Sequence, residues 1–311
     1  MLFAGDETLG AIDLHKTKSA PWQVAHNFSQ GSPFRPRPVG TTQMLVAGRD
    51  ELGLWRVGAA QALWKIGAQL QIGAPTVHGN RIYFGDGHEL VALSAESGKT
   101  NWRFPTTPDT ICAYAPVQHN DTVFCGPGDG RLYAVNAATG KLLWAIDHSD
   151  EWQYLRQLQI KGDLLIAGSY KEILYGISVH DGKVLWKFNA GNFINSQLVH
   201  GNAAFLWSPT GWVYAIDLAS GRVLWRHQTT DYQHRESNWA PVMAELTAYQ
   251  NKLFVLDMAN RMHVLDVNSG KEVAAFTSER PLRPTALAID QQRVVLATQE
   301  GEVLFMRLPS R

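Results

Sequence analysis

The sequence predicts an all-β protein, an eight-bladed β-propeller of four-stranded antiparallel blades that forms one domain over residues 1-311. One nine-residue segment recurs eight times along the chain, its copies alternate apolar with polar or small residues, and turn residues flank them. Alternation with period two indicates a half-buried strand, and a repeat of about 40 residues is typical of propeller blades.

The recurring segment is one strand of each predicted blade. Its copies begin at Leu9, Leu52, Leu90, Leu132, Leu174, Val213, Met262 and Val303. Another apolar strand precedes most copies across a short turn of Asp, Gly, Pro or Asn, so the pair is predicted to form a hairpin. The hairpins are predicted at about 1-14, 44-57, 81-95, 122-137, 164-178, 203-218, 253-267 and 294-308.

In four copies a tryptophan lies four residues after the turn glycine, in the outer strand of the blade: Trp102, Trp144, Trp186 and Trp225. Trp64 and Trp22 are assigned the same role in their repeats, and Ala274 stands in the corresponding position of the seventh repeat. An indole in this register buries about 150–250 Å² and wedges against the next blade, so we interpret these tryptophans as structural. The remaining, inner strand is predicted where Ala-Pro occurs, at Ala74, Ala115 and Ala240.

The two chain ends are expected to close the ring. The first repeat begins at its second strand and the last stops after its third, which gives about thirty strands instead of four in every blade. We therefore expect the segment from Pro284 to Leu308 to lie beside Met1–Leu14, so that little sheet edge is exposed.

Composition and charge exclude several classes of partner. Lys plus Arg and Asp plus Glu number 28 each, so no net field attracts nucleic acid or an anionic membrane. No apolar run reaches the roughly 18 residues of a membrane span. Met1–Gly5 is predicted to be a strand and not an export signal, so the chain as numbered is expected in the cytoplasm, or in the periplasm if an export sequence has been removed. Cys112 and Cys125 are expected to be free, half-buried thiols.

The repeat resembles that of a known family. The strings LYAVNAATGKLLW, Leu132–Trp144, and VYAIDLASGRVLW, Val213–Trp225, are similar to the PQQ-enzyme-type repeat shared by quinone-dependent alcohol dehydrogenases and BamB-type propellers. The dehydrogenases bind their quinone with adjacent cysteines and a calcium ion. Cys112 and Cys125 are not adjacent, and no Glu-Asn-Asp set offers a calcium cage, so we expect no cofactor, neither PQQ nor calcium, and no metal. Similarity to the BamB-type propellers implies a non-enzymatic scaffold.

Candidate ligand-binding residues are predicted just before the inner strands, where connections surround the mouth of the central channel. They are Arg35, Arg37, Gln71, Tyr114, Arg156, Asn195, Trp239 and Arg283. Arginines in this arrangement suit a small anionic ligand, which they bind through bidentate hydrogen bonds. Alternatively, the arginines pair with acidic residues of the same loops and form an ordinary solvated face.

Two long loops interrupt the repeat, Asp147–Gln157 and Thr229–Pro241, and are predicted to carry the function. Their aromatic and basic side chains favour a protein or peptide partner, with Trp152, Tyr154, Tyr232 and Arg235 as the candidate contacts. Imidazole titrates near neutral pH, so the loops also offer acid–base groups. The candidates for catalysis are His148, His234, Glu236 and, at the mouth, Tyr114.

These observations lead to three functional hypotheses. The main one is a non-catalytic binding or assembly propeller that docks a protein or peptide on the channel-mouth loops. The alternative is a propeller enzyme, a hydrolase or lyase, that acts on a small anionic substrate in an Arg-lined central pocket. A second alternative is the sensor domain of a longer signalling protein.

Overall fold

The structure is a computed structural model that describes residues 2–4, 8–13, 20–26, 28, 34–107, 110–148, 156–168, 172–191, 194, 196–208, 210–229, 245–257, 259–289 and 293–307. These residues form thirty β-strands in eight antiparallel sheets, which confirms the predicted eight-bladed β-propeller. The strands group into two compact units, Met1–Leu158 and Gln159–Arg311. No helix in the described part of the chain has the length and apolar character needed to cross a membrane.

The first unit contains one three-stranded and three four-stranded sheets, each in chain order. The first sheet consists of β1 (Leu2–Ala4), β2 (Thr8–Ala11) and β3 (Trp22–Ala25). The second consists of β4 (Arg37–Val39), β5 (Gln43–Ala47), β6 (Glu51–Arg56) and β7 (Ala62–Gly67). The third consists of β8 (Thr76–His78), β9 (Arg81–Asp86), β10 (Glu89–Ser94) and β11 (Thr100–Pro105), and the fourth of β12 (Val117–His119), β13 (Thr122–Cys125), β14 (Arg131–Asn136) and β15 (Leu142–Asp147).

The second unit has the same plan, with its three-stranded sheet last. Its first sheet consists of β16 (Arg156–Lys161), β17 (Leu164–Gly168), β18 (Ile173–Ser178) and β19 (Val184–Asn189), and its second of β20 (Ser196–His200), β21 (Ala203–Trp207), β22 (Trp212–Asp217) and β23 (Val223–Gln228). The third consists of β24 (Thr247–Tyr249), β25 (Lys252–Leu256), β26 (Arg261–Asp266) and β27 (Glu272–Thr277), and the last of β28 (Leu282–Ile289), β29 (Arg293–Thr298) and β30 (Val303–Arg307). We call the first strand of a four-stranded sheet inner and its last strand outer.

Strands lie where the repeat predicts them in most of the blades. The first and last sheets lack one strand each, as expected. The inner strand predicted from Ala240 lies outside the described residues, and the sheet that follows it begins with β24, Thr247–Tyr249. Two predictions involve both units and stay predictions: that the chain ends close the ring, and that residues 1-311 form a single domain.

The middle strands of each sheet are buried on both faces because neighbouring sheets pack against each other. In the first unit, Leu52 and Leu54 of β6 share one core with Ile82 and Phe84 of β9. In the second unit, Phe205 of β21 belongs to a core that continues into β25, β26 and β29. Each fully buried large apolar side chain contributes about 1.5–3 kcal/mol, so these layers stabilise the fold.

Four of the outer-strand tryptophans join their sheet to the next, which confirms the structural interpretation for these four. The indole Nε1 donates to a backbone carbonyl of the following sheet. The pairs are Trp64 to Ala95 at 3.0 Å, Trp102 to Ala137 at 2.9 Å, Trp186 to Leu218 at 2.8 Å and Trp225 to Val267 at 2.8 Å.

The turn glycine of the repeat completes this contact, which we call the Trp–Gly clasp. The glycines are Gly98, Gly140, Gly221 and Gly270, each with φ of +68° or +69°. A Cβ on Gly140 would lie 2.7 Å from the Trp102 ring, and the other three positions are equally close to their tryptophans. Glycine is therefore required both for the left-handed backbone conformation and for the ring above it.

Candidate functional site

One end of the sheets carries the connections between blades, and a repeated hydrogen bond fixes where they start. The first residue after an outer strand donates its N–H to the turn between the two middle strands. In the first unit these bonds join Ala68 to Asp50, Thr106 to His88 and His148 to Gly130; in the second they join Ala190 to Glu172, Thr229 to Gly211 and Ser278 to Asn260. Each long loop therefore begins at a rigid point at this end of its own unit.

Four predicted ligand-binding residues belong to the first unit, on connections that enter inner strands. Arg35 and Arg37 precede or begin β4, while Gln71 and Tyr114 lie before β8 and β12. Backbone hydrogen bonds join the last two connections directly, from Ala74 N–H to the Ala113 carbonyl at 2.9 Å. The guanidinium of Arg37 donates to the Pro75 carbonyl at 3.3 Å, so it also holds neighbouring sheets together.

The other predicted site residues are spread over both units or lie outside the described part of the chain. Arg156 begins β16, and Arg283 is an exposed residue of β28 in the second unit. Asn195, Trp239, His234, Glu236, Trp152, Tyr154, Tyr232 and Arg235 lie outside the described residues. His148 is half-buried and follows β15 directly. An Arg-lined pocket and catalytic roles for these histidines therefore stay predictions.

Two arginines at this end of the first unit are each bound to two carboxylates. Arg103 contacts Asp86 at 3.1 Å and Glu89 at 2.7 Å, and Asp86 also accepts the backbone N–H groups of Gln69 and Leu70. Burial lowers the pKa of Arg103, but the hydrogen bonds to the two carboxylates outweigh it and raise the pKa overall.

The second arginine, Arg131, contacts Asp147 at 2.8 Å and Asp129 at 2.7 Å. These hydrogen bonds, to Asp147 first, raise the pKa of the guanidinium. Asp129 also accepts the Thr107 hydroxyl at 2.7 Å. The first long loop thus begins beside an arginine whose charge is already paired with two carboxylates of the chain.

The two cysteines are free, as predicted, and lie together, as the register of their strands allowed, but they are fully buried and not half-buried. Cys112 is 0% and Cys125 1% exposed. The Cys112 Sγ lies 3.2 Å from the Thr106 hydroxyl. A hydrogen bond between the two thiols lowers the pKa of Cys112, and the same bond together with burial raises the pKa of Cys125 well above its usual value.

A histidine–carboxylate cluster in the second unit was missed by the sequence reasoning. His263 lies on β26 and is almost fully buried, with Nε2 3.2 Å from Asp257 Oδ2 and Nδ1 2.5 Å from Glu272 Oε2. The ring of His227, on the neighbouring β23, lies 6.1 Å from the His263 ring between centroids. Arg261 donates to the other Glu272 oxygen at 3.0 Å. We call His227, His263, Glu272 and Asp257 the histidine cluster.

The electrostatics of the cluster follow from this packing. Burial lowers the pKa of His227, and the neighbouring His263 lowers it further. Burial acts to raise the pKa of Glu272, but hydrogen bonds from His263 and Arg261 lower it overall. The sequence did contain a sign of the cluster, because His263 occupies the register that tyrosine takes in other repeats, as at Tyr133 and Tyr214.

Comparison with known proteins shows two kinds of relative, each over part of the chain. Outer membrane protein assembly factor BamB of Bordetella pertussis is 26% identical over 172 residues, 53% of this chain and 44% of that protein. Tetrathionate hydrolase of Acidithiobacillus ferrooxidans is 28% identical over 98 residues, 32% of this chain and 19% of that protein. The match thus spans less than half the length of these curated relatives.

A solved structure and a family model extend the comparison to the whole chain. The crystal structure of BamB from Moraxella catarrhalis aligns with a TM-score of 0.75 and 15% identity, over 99% of this chain and 92% of that one. Identity at this level shows the fold alone. The family model described as outer membrane protein assembly factor BamB matches residues 6–204 and 209–308. The chain therefore belongs to the family of outer membrane protein assembly factor BamB and is a propeller of PQQ-type repeats.

Proposed function

We propose that this chain is a non-catalytic assembly propeller that docks a protein or peptide partner on its two long loops. The observation that carries the proposal is the family match over residues 6–204 and 209–308, since the family is named for the assembly of outer membrane proteins. The proposed place of action is the periplasm, where a factor for outer membrane proteins would meet its clients.

The anchoring of the loops supports a docking role. Thr229 begins the second loop, and both its N–H and its hydroxyl donate to the Gly211 carbonyl, each at 2.9 Å. His148 begins the first loop and donates to the Gly130 carbonyl at 2.9 Å. Loops held at rigid ends lose less conformational entropy on binding than loops on mobile ends, so more of the contact energy contributes to affinity.

The charge pattern beside the first loop also suits an interface. Asp147, Arg131 and Asp129 form a paired polar cluster next to predicted aromatic contacts at Trp152 and Tyr154. Protein interfaces commonly place aromatic anchors at the centre and paired polar groups at the rim. The partner is therefore proposed to bury Trp152 and Tyr154 and to leave the Arg131 cluster at the edge.

Site-specific photocrosslinking tests the location of docking. A photoreactive residue is placed at Tyr154, at Tyr232 or, as a matched control, at Leu185, which is 55% exposed on the outer strand β19. In cells that express the chain, positions 154 and 232 are expected to capture the same protein, and position 185 is not. Capture of that protein from all three positions, or from position 185 alone, would contradict docking on the loops.

Affinity measurements with the captured protein test the proposed anchors. Replacement of Trp152 or Tyr154 by Ala is expected to weaken binding by about 2 kcal/mol or more, the usual cost of a hot spot, or roughly 30-fold. Leu185→Ala serves as the control and is expected to bind like the parent chain. Equal affinities for all variants would remove the two aromatic residues from the interface.

A second candidate function rests on the match to tetrathionate hydrolase, whose substrate is a small anion. In this alternative, the arginines predicted around the mouth bind the anion and His234 acts as the general base. Purified chain is then expected to hydrolyse tetrathionate, and Arg156→Ala or His234→Ala should abolish turnover without lowering the melting temperature. No turnover by the parent chain would eliminate this candidate.

A further inference from the structure

The histidine cluster has the composition of a transition-metal site. One ligating atom each from His227, His263 and Glu272 lie within 4.8 Å of one another. Two imidazoles and one carboxylate are a set that binds Zn²⁺ and related divalent ions, whereas Ca²⁺ and Mg²⁺ require oxygen ligands. From this arrangement we propose that His227, His263 and Glu272 bind a first-row transition-metal ion of the Zn²⁺ type between the second and third sheets of the second unit.

The surroundings of His263 are typical of a metal ligand, because a carboxylate contacts the ring nitrogen that faces away from the proposed ion. Its Nδ1 faces Glu272, while its Nε2 faces Oδ2 of Asp257, whose side chain is 0% exposed. The other Asp257 oxygen accepts the backbone N–H groups of Ala259 and Arg261 at 2.8 and 2.9 Å, which fix the carboxylate in place. Metal-bound histidines typically donate their second ring N–H to such a carboxylate, which sets the tautomer and leaves the other nitrogen for the metal.

Glu272 is oriented in a similar way, while His227 is placed by β23 beside the His263 ring, 6.1 Å away between centroids. Glu272 uses Oε1 to accept from Arg261 at 3.0 Å, so that Oε2 is the oxygen directed at the cluster. His263 and Glu272 therefore each have a partner outside the site that holds them.

The distances are compatible with a bound ion after small side-chain movements. With Zn–N and Zn–O bonds of about 2.0–2.2 Å, ligand atoms around a tetrahedral ion lie roughly 3.3–3.5 Å apart. The observed pairs span this value, from 2.5 Å between His263 Nδ1 and Glu272 Oε2 to a maximum of 4.8 Å. Three protein ligands leave the fourth position of the ion for water or a ligand from the partner.

The alternative reading is a purely ionic cluster, in which a doubly protonated His263 donates to Asp257 and Glu272. In that case His227 takes no part in the cluster, and added metal ions do not bind there. The two alternatives predict different results. A metal site binds one ion per chain and needs both His227 and Glu272, whereas an ionic cluster binds none.

The test is metal binding by the full chain, prepared without a histidine tag and stripped with a chelator. Isothermal titration with ZnCl₂ at pH 7.5 is expected to show one saturable site per chain. Co²⁺ is expected to give the visible absorption of a low-symmetry nitrogen and oxygen site. Zinc should also raise the melting temperature, because the ion joins β23 to β26 and β27, whereas Mg²⁺ should not.

Variants assign the binding to the cluster. His227→Ala and Glu272→Gln change partly exposed residues, so both are expected to fold and to lose at least 10-fold in zinc affinity. Asp257→Asn is expected to weaken binding by about 10–100-fold through the orientation of His263. His180→Ala is the matched control, since His180 is an exposed histidine that lies 3.4 Å from Asp163 and belongs to no such cluster.

The outcomes are decisive in both directions. One site that is lost in His227→Ala and Glu272→Gln and retained in His180→Ala supports the proposal. Absence of saturable binding by the parent chain, or equal binding by the parent and His227→Ala, overturns it in favour of the ionic cluster.

Discussion

At the scale of single residues, the glycine of the repeat has two requirements that can be separated. Gly140 has φ of +69°, and the Trp102 ring occupies the space where a Cβ would lie. Gly79, in the turn between β8 and β9, has φ of +57° but nothing within 4 Å of its Cβ position. The two glycines share the backbone conformation and differ in the tryptophan.

We expect Gly79→Ala to destabilise the fold by about 1–2 kcal/mol, the cost of a left-handed residue with a side chain. Gly140→Ala adds overpacking against the indole, about 1–3 kcal/mol more. Equilibrium unfolding in denaturant measures both free energies. Equal losses for the two variants would show that the Trp–Gly clasp does not restrict this position.

At the scale of elements, the turn after the third strand of a sheet is closed by one side chain. Oδ1 of Asp217 accepts the Ser220 N–H at 2.9 Å and its hydroxyl at 2.6 Å, and Asp266 binds Ser269 in the same way. Asn136 makes the equivalent bonds to Thr139 without a charge. The serine hydroxyl is the main cause of the lowered pKa of each aspartate, relative to the usual 3.8.

This difference predicts that the stability contributed by the Asp217 and Asp266 turns depends on pH, whereas that of the Asn136 turn does not. A carboxyl group whose pKa is lower in the folded state stabilises the fold fully above its unfolded pKa, near 3.8, and loses that contribution as pH falls through the folded pKa. The double variant Asp217→Asn, Asp266→Asn is therefore expected to lose less stability than the parent chain below pH 4. Thermal unfolding at pH 7 and pH 3 measures it, and equal losses would contradict the role of the charge.

At the scale of the whole molecule, we predict that residues 1-311 unfold as one domain. A ring closed by the chain ends implies a single cooperative transition, since neither half would keep its edges covered alone. Hydrogen exchange in increasing denaturant can be followed separately for β14–β15 of the first unit and β26–β27 of the second. We expect both regions to open over the same range of denaturant concentration. Opening of one unit well before the other would instead identify two domains.

The sequence predicted the repeated parts of this molecule well because their physical causes are local. Period-two alternation places the strands, and the Gly and Trp positions place the turns and blade contacts, as Gly140 and Trp102 illustrate. Strand β24, Thr247–Tyr249, was not predicted, because no Ala-Pro pair marks it in the sequence. The histidine cluster was missed because His227 and Glu272 come from different blades, and only tertiary packing brings them to His263.

The Trp–Gly clasp has a consequence for how such a chain can grow or shrink in evolution. Each clasp takes its indole from one repeat and its glycine from the next, so duplication or loss of a whole repeat supplies or removes one of each. Every other contact between blades keeps its tryptophan and its glycine. The number of blades can therefore change without a new kind of interface. Ala274 breaks this rule, because the outer strand β27 offers no indole to the sheet that follows. A repeat inserted after Ala274 would therefore pack against a blade that cannot form the Trp–Gly clasp with it.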